Sequence, residues 1–199
     1  TVNIVAGGVL EGLIGYEYSV SDYGKAFGKI DLFTVIHCAH GGVVFLVYGN
    51  GAYLVICHSR GTPETMKNPE FCCYPDGVTG GVKQELAQAA IEAVRAGVDP
   101  DKIIYDPGFG FAKTTAQNYR MMRELRKFRV PYPPGRIPQI LVGVSRKSMI
   151  YRTFDITPEE SLPQTQVLHL KALQEGAAIL RVHDVAEAAR TIEVYWRLC

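Results

Sequence analysis

The chain has 199 residues, of which 47% are hydrophobic and 21% charged, with a net charge of +1. That length is ample for one domain with a real core and short for two. The near-neutral balance gives no reason to expect nucleic acid or a membrane as a partner, so any cationic site has to be local, as at Arg146/Lys147 and Arg181/His183. The five cysteines (38, 57, 72, 73 and 199) form an odd set without a C-x-x-C, which reads as reduced thiols in the cytoplasm. There is no signal peptide and no uninterrupted apolar run of membrane length; the nearest, Val43 to Cys57, is broken by Gly49-Asn50-Gly51. The chain starts without Met, inside what reads as a strand, as a fragment would.

Taken in order, residues 1–8 read as a strand running into a Gly7-Gly8 turn, and residues 9–51 as the least legible stretch. Two readings meet at its end. Val43–Tyr48 and Ala52–Ile56 around Gly49-Asn50-Gly51 have the form of a β-hairpin. Alternatively, Ala52–Cys57 alone is a strand of a parallel barrel, the reading we favour. His37, Cys38 and His40, with Cys57-His58 downstream, match no zinc spacing, and we assign them no metal. Cys72-Cys73 reads as structural.

Gly81–Ala96 is an amphipathic helix, with Val82, Leu86, Ala90 and Val94 on one face and Gly97 as its stop. Lys102–Tyr105 is a short apolar strand, and Thr114–Phe128 a helix carrying Tyr119, Met122, Leu125 and Phe128. Prolines 131, 133, 134 and 138 mark an irregular loop before the strand Gln139–Val144. Gln164–Glu175 reads as a helix turning Val167, Leu168 and Leu170 to the core. Ala178–Leu180 is a strand, and Val185–Leu198 a closing helix with Ala189, Ile192 and Trp196 on one face.

Three of these strands end alike. Asp106-Pro107-Gly108-Phe109-Gly110-Phe111-Ala112-Lys113, Ser145-Arg146-Lys147-Ser148 and Arg181-Val182-His183-Asp184-Val185 each follow an apolar strand and lead into a helix. In parallel α/β folds ligands bind at that strand edge. Together with Cys57-His58-Ser59-Arg60-Gly61-Thr62-Pro63-Glu64-Thr65-Met66, these runs resemble dihydropteroate synthase of folate biosynthesis, over roughly residues 52–199.

The resemblance implies an α/β, TIM-barrel-like (β/α)8 pterin-binding fold, incomplete or rearranged in its N-terminal part, and a single domain over 1–199 with 9–51 unmatched. It implies a transferase that joins 4-aminobenzoate to 6-hydroxymethyl-7,8-dihydropterin diphosphate and releases pyrophosphate. Asp106 would then accept from the pterin's donor edge, helped by Asn3, with Lys147 donating to its acceptor side. Asn3 takes the position of the family's pterin-binding Asn, although Ile4 and Ala6 depart from that motif. Arg181 and His183 would bind the diphosphate, and Phe111 and Ser148 the aminobenzoate. Lys147, Arg181 and His183 are the catalytic candidates. Mg²⁺ would come with the substrate's diphosphate, and a homodimer is left open.

The family's Asn-Val-Thr-Pro-Asp-Ser-Phe loop, its Ser-Thr-Arg-Pro-Gly loop and its Asp-Thr strand end are absent from the sequence. They carry the metal-binding Asn, a lid over the diphosphate and a second acid for the pterin. Two other readings therefore stay beside the synthase: a non-catalytic pterin-binding protein that kept the pocket, and a corrinoid-linked methyltetrahydrofolate methyltransferase on the same fold.

Overall fold

A computed structural model of the chain describes residues 53–131 and 137–199 and, before them, four strands. These are β1 (Asn3–Ala6), β2 (Glu17–Val20), β3 (Ala26–Lys29) and β4 (Phe33–Cys38). They are followed by β5 (Tyr53–His58), α1 (Val78–Arg95), β6 (Ile103–Asp106), α2 (Thr115–Arg123), β7 (Gln139–Val142), α3 (Ser148–Phe154), α4 (Leu162–Gln174), β8 (Ile179–Val182) and α5 (Val185–Leu198). One eight-stranded sheet runs in the order β3-β2-β1-β8-β7-β6-β5-β4.

From β4 through β8 to β1 every pairing is parallel, and helices form the crossovers from β5 to β8. This is the expected barrel wall. β1, β2 and β3 instead form an antiparallel meander, so the N-terminal part is rearranged. β5 lies parallel to β4, which bears out a barrel strand at Ala52–Cys57, with observed bounds Tyr53–His58. The hairpin's other arm, Val43–Tyr48, lies outside the described residues.

The strand sequences explain the layering. A strand covered on both faces is apolar throughout, and β6 is buried at all its positions. Alternate residues face opposite ways. Val55, Ile104, Leu141 and Ile179 make a small inner cluster, while Leu54, Ile56, Ile103, Tyr105, Ile140, Val142, Leu180 and Val182 join the large core under the helices. Register ties the inner set together, with Val55 opposite Ile104 and Leu141 opposite Ile179.

The helices differ in detail from their predicted faces. α1 starts at Val78, ahead of the expected Gly81. The expected helix Thr114–Phe128 breaks at Glu124 into α2 and a 3-10 turn, Leu125–Phe128. α2 begins with a reciprocal cap in which Thr114 and Gln117 each accept the other's backbone N–H. On α4 the expected Val167 is 67% exposed, and Thr165, His169, Ala172 and Leu173 are buried instead. On α5 the buried stripe is Ala188 and Ile192 with Tyr195 packed against it, leaving Trp196 43% exposed. Among the described residues no helix is long and apolar enough to cross a membrane.

Candidate functional site

Counting two residues on from the inner apolar layer gives the site. Val55 leads to Cys57, Ile104 to Asp106, Leu141 to Gly143 and Ile179 to Arg181. These positions share a face at the C-terminal ends of the parallel strands, with Cys57 opposite Asp106 in register. Asp106 is fully buried. Its Oδ1 accepts the Gly108 N–H at 2.8 Å, and its Oδ2 lies 3.5 Å from Arg181 Nη2. That second distance is a charge contact rather than a hydrogen bond, and Oδ2 has no hydrogen-bond partner. Burial and the neighbouring Asp106 carboxylate push the Cys57 thiol well above its ordinary value, so it stays protonated.

Arg181 reaches Asp106 because glycine follows β7 directly. A Cβ at position 143 would lie 2.7 Å from Arg181 Nη2 and 2.8 Å from its Nε. Lys147 approaches from the same strand exit. Its Nζ sits 4.3 Å above the centre of the Phe111 ring. Burial, then the Arg181 cation, lowers its proton affinity. Ser148 opens α3 directly after it. The expected Arg146/Lys147 cationic pair splits, because Arg146 turns to Asp184 with contacts of 3.2 and 2.5 Å. The cations left at the site are therefore Lys147 and Arg181, with the His183 imidazole beside them.

Ser145 holds the ring of His183 in place. Its Oγ accepts the His183 backbone N–H at 3.3 Å and lies 3.0 Å from the ring Nδ1. Accepting the amide leaves the hydroxyl one lone pair and its O–H, so it pairs with Nδ1 in either tautomer and fixes the ring's orientation. Burial, then the Arg146 cation, holds the imidazole below its ordinary value. At neutral pH His183 is then uncharged.

Register on β1 sets Asn3 level with Ile179 and Val5 level with Arg181. That strand is the neighbour of β8. The strand beside β5 is β4, where His37 stands level with Cys57.

The Asp106–Lys113 turn is pinned by groups the sequence reading gave no role. Gly108 has φ of 69°, and a Cβ there would lie 1.8 Å from the His58 carbonyl oxygen; only glycine fits. Asn118 Oδ1 accepts the Gly110 N–H at 2.8 Å, and the buried Tyr74 hydroxyl donates to the Ala112 carbonyl at 3.0 Å. Lys113 Nζ donates to the carbonyls of Gly108 at 3.0 Å and Phe111 at 2.8 Å and lies 2.9 Å from His58 Nδ1. His58 Nε2 in turn lies 3.0 Å from Glu85 Oε2, and Arg60 binds the same carboxylate. Burial, then the Lys113 cation, pushes His58 down to about 4. Burial alone would raise Glu85, but the hydrogen bonds from His58 and Arg60 outweigh it and bring it to about 2. The signal in the sequence was a lysine closing a glycine-rich turn, which only its burial reveals as internal.

A family model described as pterin binding enzyme matches residues 38–183. The Haemophilus influenzae dihydropteroate synthase is 36% identical over 142 residues, which are 70% of this chain and 48% of that protein. The Synechocystis dihydropteroate synthase is 37% identical over 73% of this chain and 49% of its own. The crystal structure of Burkholderia cenocepacia dihydropteroate synthase complexed with 7,8-dihydropteroate superposes with a TM-score of 0.68 at 36% identity, covering 74% of this chain and 52% of that one. The Thermus thermophilus enzyme in complex with 6HMPPP gives 0.65 at 33% identity, over 74% and 56%. The chain spans about half the length of the relatives it matches.

Proposed function

The chain belongs to the pterin binding enzyme family, and from that premise we propose that it carries the substrate-binding half of a dihydropteroate synthase. The reaction joins 4-aminobenzoate to 6-hydroxymethyl-7,8-dihydropterin diphosphate with loss of pyrophosphate. The observation that carries the reading is Asp106 Oδ2, a buried carboxylate oxygen without a hydrogen-bond donor. Such an acceptor is costly unless a ligand supplies the donor. The 2-amino-4-oxo edge of a pterin offers adjacent N–H groups to it. The dihydropteroate held by the Burkholderia relative supports the same ligand class.

In this reading Lys147 donates to the ring's acceptor side. Arg181 and His183 hold the diphosphate, and the Arg181 cation neutralises the charge that grows on it as the C–O bond breaks. The electron-rich reduced pterin stabilises the resulting cation at its exocyclic carbon, and the aminobenzoate amine attacks from beside Phe111, with its carboxylate near Ser148. No side-chain nucleophile is needed. Catalysis rests on positioning and on charge stabilisation.

The described residues gather no group of three His, Cys, Asp or Glu side chains fit for a metal. Asp184 is engaged by Arg146, and the open Oδ2 of Asp106 faces the Arg181 cation. In this reading Mg²⁺ would come with the substrate diphosphate and supply further charge neutralisation there, and no step above depends on it. A single domain, a cytoplasmic location suited to the unpaired Cys57, Cys72, Cys73 and Cys199, and self-association through the exposed Val167, Val194, Trp196 and Leu198 complete the proposal. Calorimetry with the pterin diphosphate tests it directly. Binding that is lost in Arg181→Ala and weakened in Asp106→Asn is the expected result, and no binding to the intact chain would reject the reading.

A further inference from the structure

Lys113 lies outside the set of ligand contacts, yet its ammonium is one of the most constrained groups in the molecule. It is buried beneath the Asp106–Phe111 turn and meets three acceptors. The tautomer of His58 follows from its other side. Glu85 is a carboxylate that only accepts, so His58 Nε2 carries the hydrogen and Nδ1 is left to accept from Lys113. In its protonated form, held below about pH 7, the group has three N–H donors and each finds one acceptor: the Gly108 carbonyl, the Phe111 carbonyl and His58 Nδ1. The groups facing it are Cys57 and His58 on β5, Arg60 and Cys72 in the following loop, Glu85 on α1 and Asp106 on β6. Burial brings the lysine down to about 7, the mark of a cation held away from water.

We infer that Lys113 is a positioning residue for the pterin and aminobenzoate sites: it ties the carbonyls on either side of the Gly108–Phe111 turn to the end of β5 and so holds Asp106 and Phe111 in place. The geometry supports this at both ends. Gly108 gives its carbonyl to Lys113 and its N–H to Asp106 Oδ1. Phe111 gives its carbonyl to Lys113, and its ring lies under Lys147. The anion-binding pair Arg181 and His183 is carried by β8 and its exit, and has no bond to this lysine. The inference rests on the reading of Asp106 and Phe111 given above.

The test compares two ligands in one variant. Lys113→Met should weaken binding of 6-hydroxymethylpterin by about tenfold or more, the scale of one lost buried hydrogen bond, and leave pyrophosphate affinity within about twofold. Amide exchange at Gly108 and Gly110 should quicken by about tenfold, while the amides of Val82–Ala93 on α1 keep their protection. Equal weakening of both ligands would make the residue a general prop and overturn the inference, as would unchanged pterin binding. Should this variant not fold, Lys113→Gln, which keeps N–H donors but ends short of His58, takes its place with the same expected split. Failure of both to fold would assign Lys113 to the fold rather than the site and also overturn it. Absence of pterin binding in the unaltered chain would instead reject the function proposed above.

Discussion

Arg181 Nη2 stands 3.5 Å from Asp106 Oδ2, and the path between them crosses the end of β7, where Gly143 has no side chain. The contact joins the anion-binding and pterin-binding halves of the site through one charge pair. It is long enough that a ligand donor can take over the carboxylate oxygen without unbuttoning a formed hydrogen bond.

Asp106→Asn replaces one acceptor by a donor facing a donor. Pterin affinity is expected to fall by roughly 2–4 kcal/mol through the lost charge and the unpaired group. Titration calorimetry on the folded variant decides it, and undiminished binding would remove Asp106 from the pterin site.

Gly143→Ala places a methyl group where the Arg181 guanidinium now lies, at 2.7 Å from Nη2. The guanidinium is the far end of a flexible side chain, so it moves and the backbone stays. The expected loss is about 1.5–3 kcal/mol in pyrophosphate binding, the worth of charge-assisted bonds, with a melting temperature close to that of the parent. A variant that binds pyrophosphate normally would show that Arg181 grips the anion from another pose.

Stability should rise with pH between 7 and 9. Burial lowers Lys113 from 10.5 to about 7, so in that interval the unfolded chain holds a proton the folded chain has released, and raising the pH favours folding. Lys147, lowered mainly by burial, acts with the same sign. Above 9.0 the Cys57 thiol opposes them, because the folded chain keeps a proton the unfolded chain gives up. On the acid side His58, lowered from 6.5 to about 4, adds a slope of the same sign between those values. Urea midpoints at pH 7 and pH 9 measure the effect. Its ceiling is roughly 1.4 kcal/mol per pH unit for one proton, and a flat or falling midpoint would contradict a buried Lys113.

Binding and turnover should separate in the chain as it stands. The three loop motifs that carry the lid, the metal-binding Asn and the second pterin acid are not in its sequence, and such groups act mainly as charge develops on the leaving group. Removing one such donor typically lowers the rate about 10²–10³-fold. A pyrophosphate-release assay should give slow turnover beside measurable pterin binding. A rate on the order of 1 s⁻¹ would show that residues 1–51 supply equivalent groups.

The sequence by itself determined the parallel strands and their polar exits. β5 to β8 were legible because strands covered on both faces must be apolar from end to end, and the acid, lysine, arginine and histidine that stop them stand out against that run. It also identified the family, since Asp106–Lys113 and Ser145–Ser148 are long enough to be specific. Local pattern failed where two elements compete for one surface. Val167 and Trp196 have the spacing of a buried stripe, but which face of α4 and α5 is covered depends on where the sheet and the neighbouring helix lie. Only the tertiary structure decided that β1 pairs with β8, which sets Asn3 level with Ile179. Only it brought Lys113 against His58, 55 residues earlier in sequence. A hydrogen-bond network between distant segments leaves no periodicity to read, because its partners are selected by proximity in the folded chain and not by spacing along it.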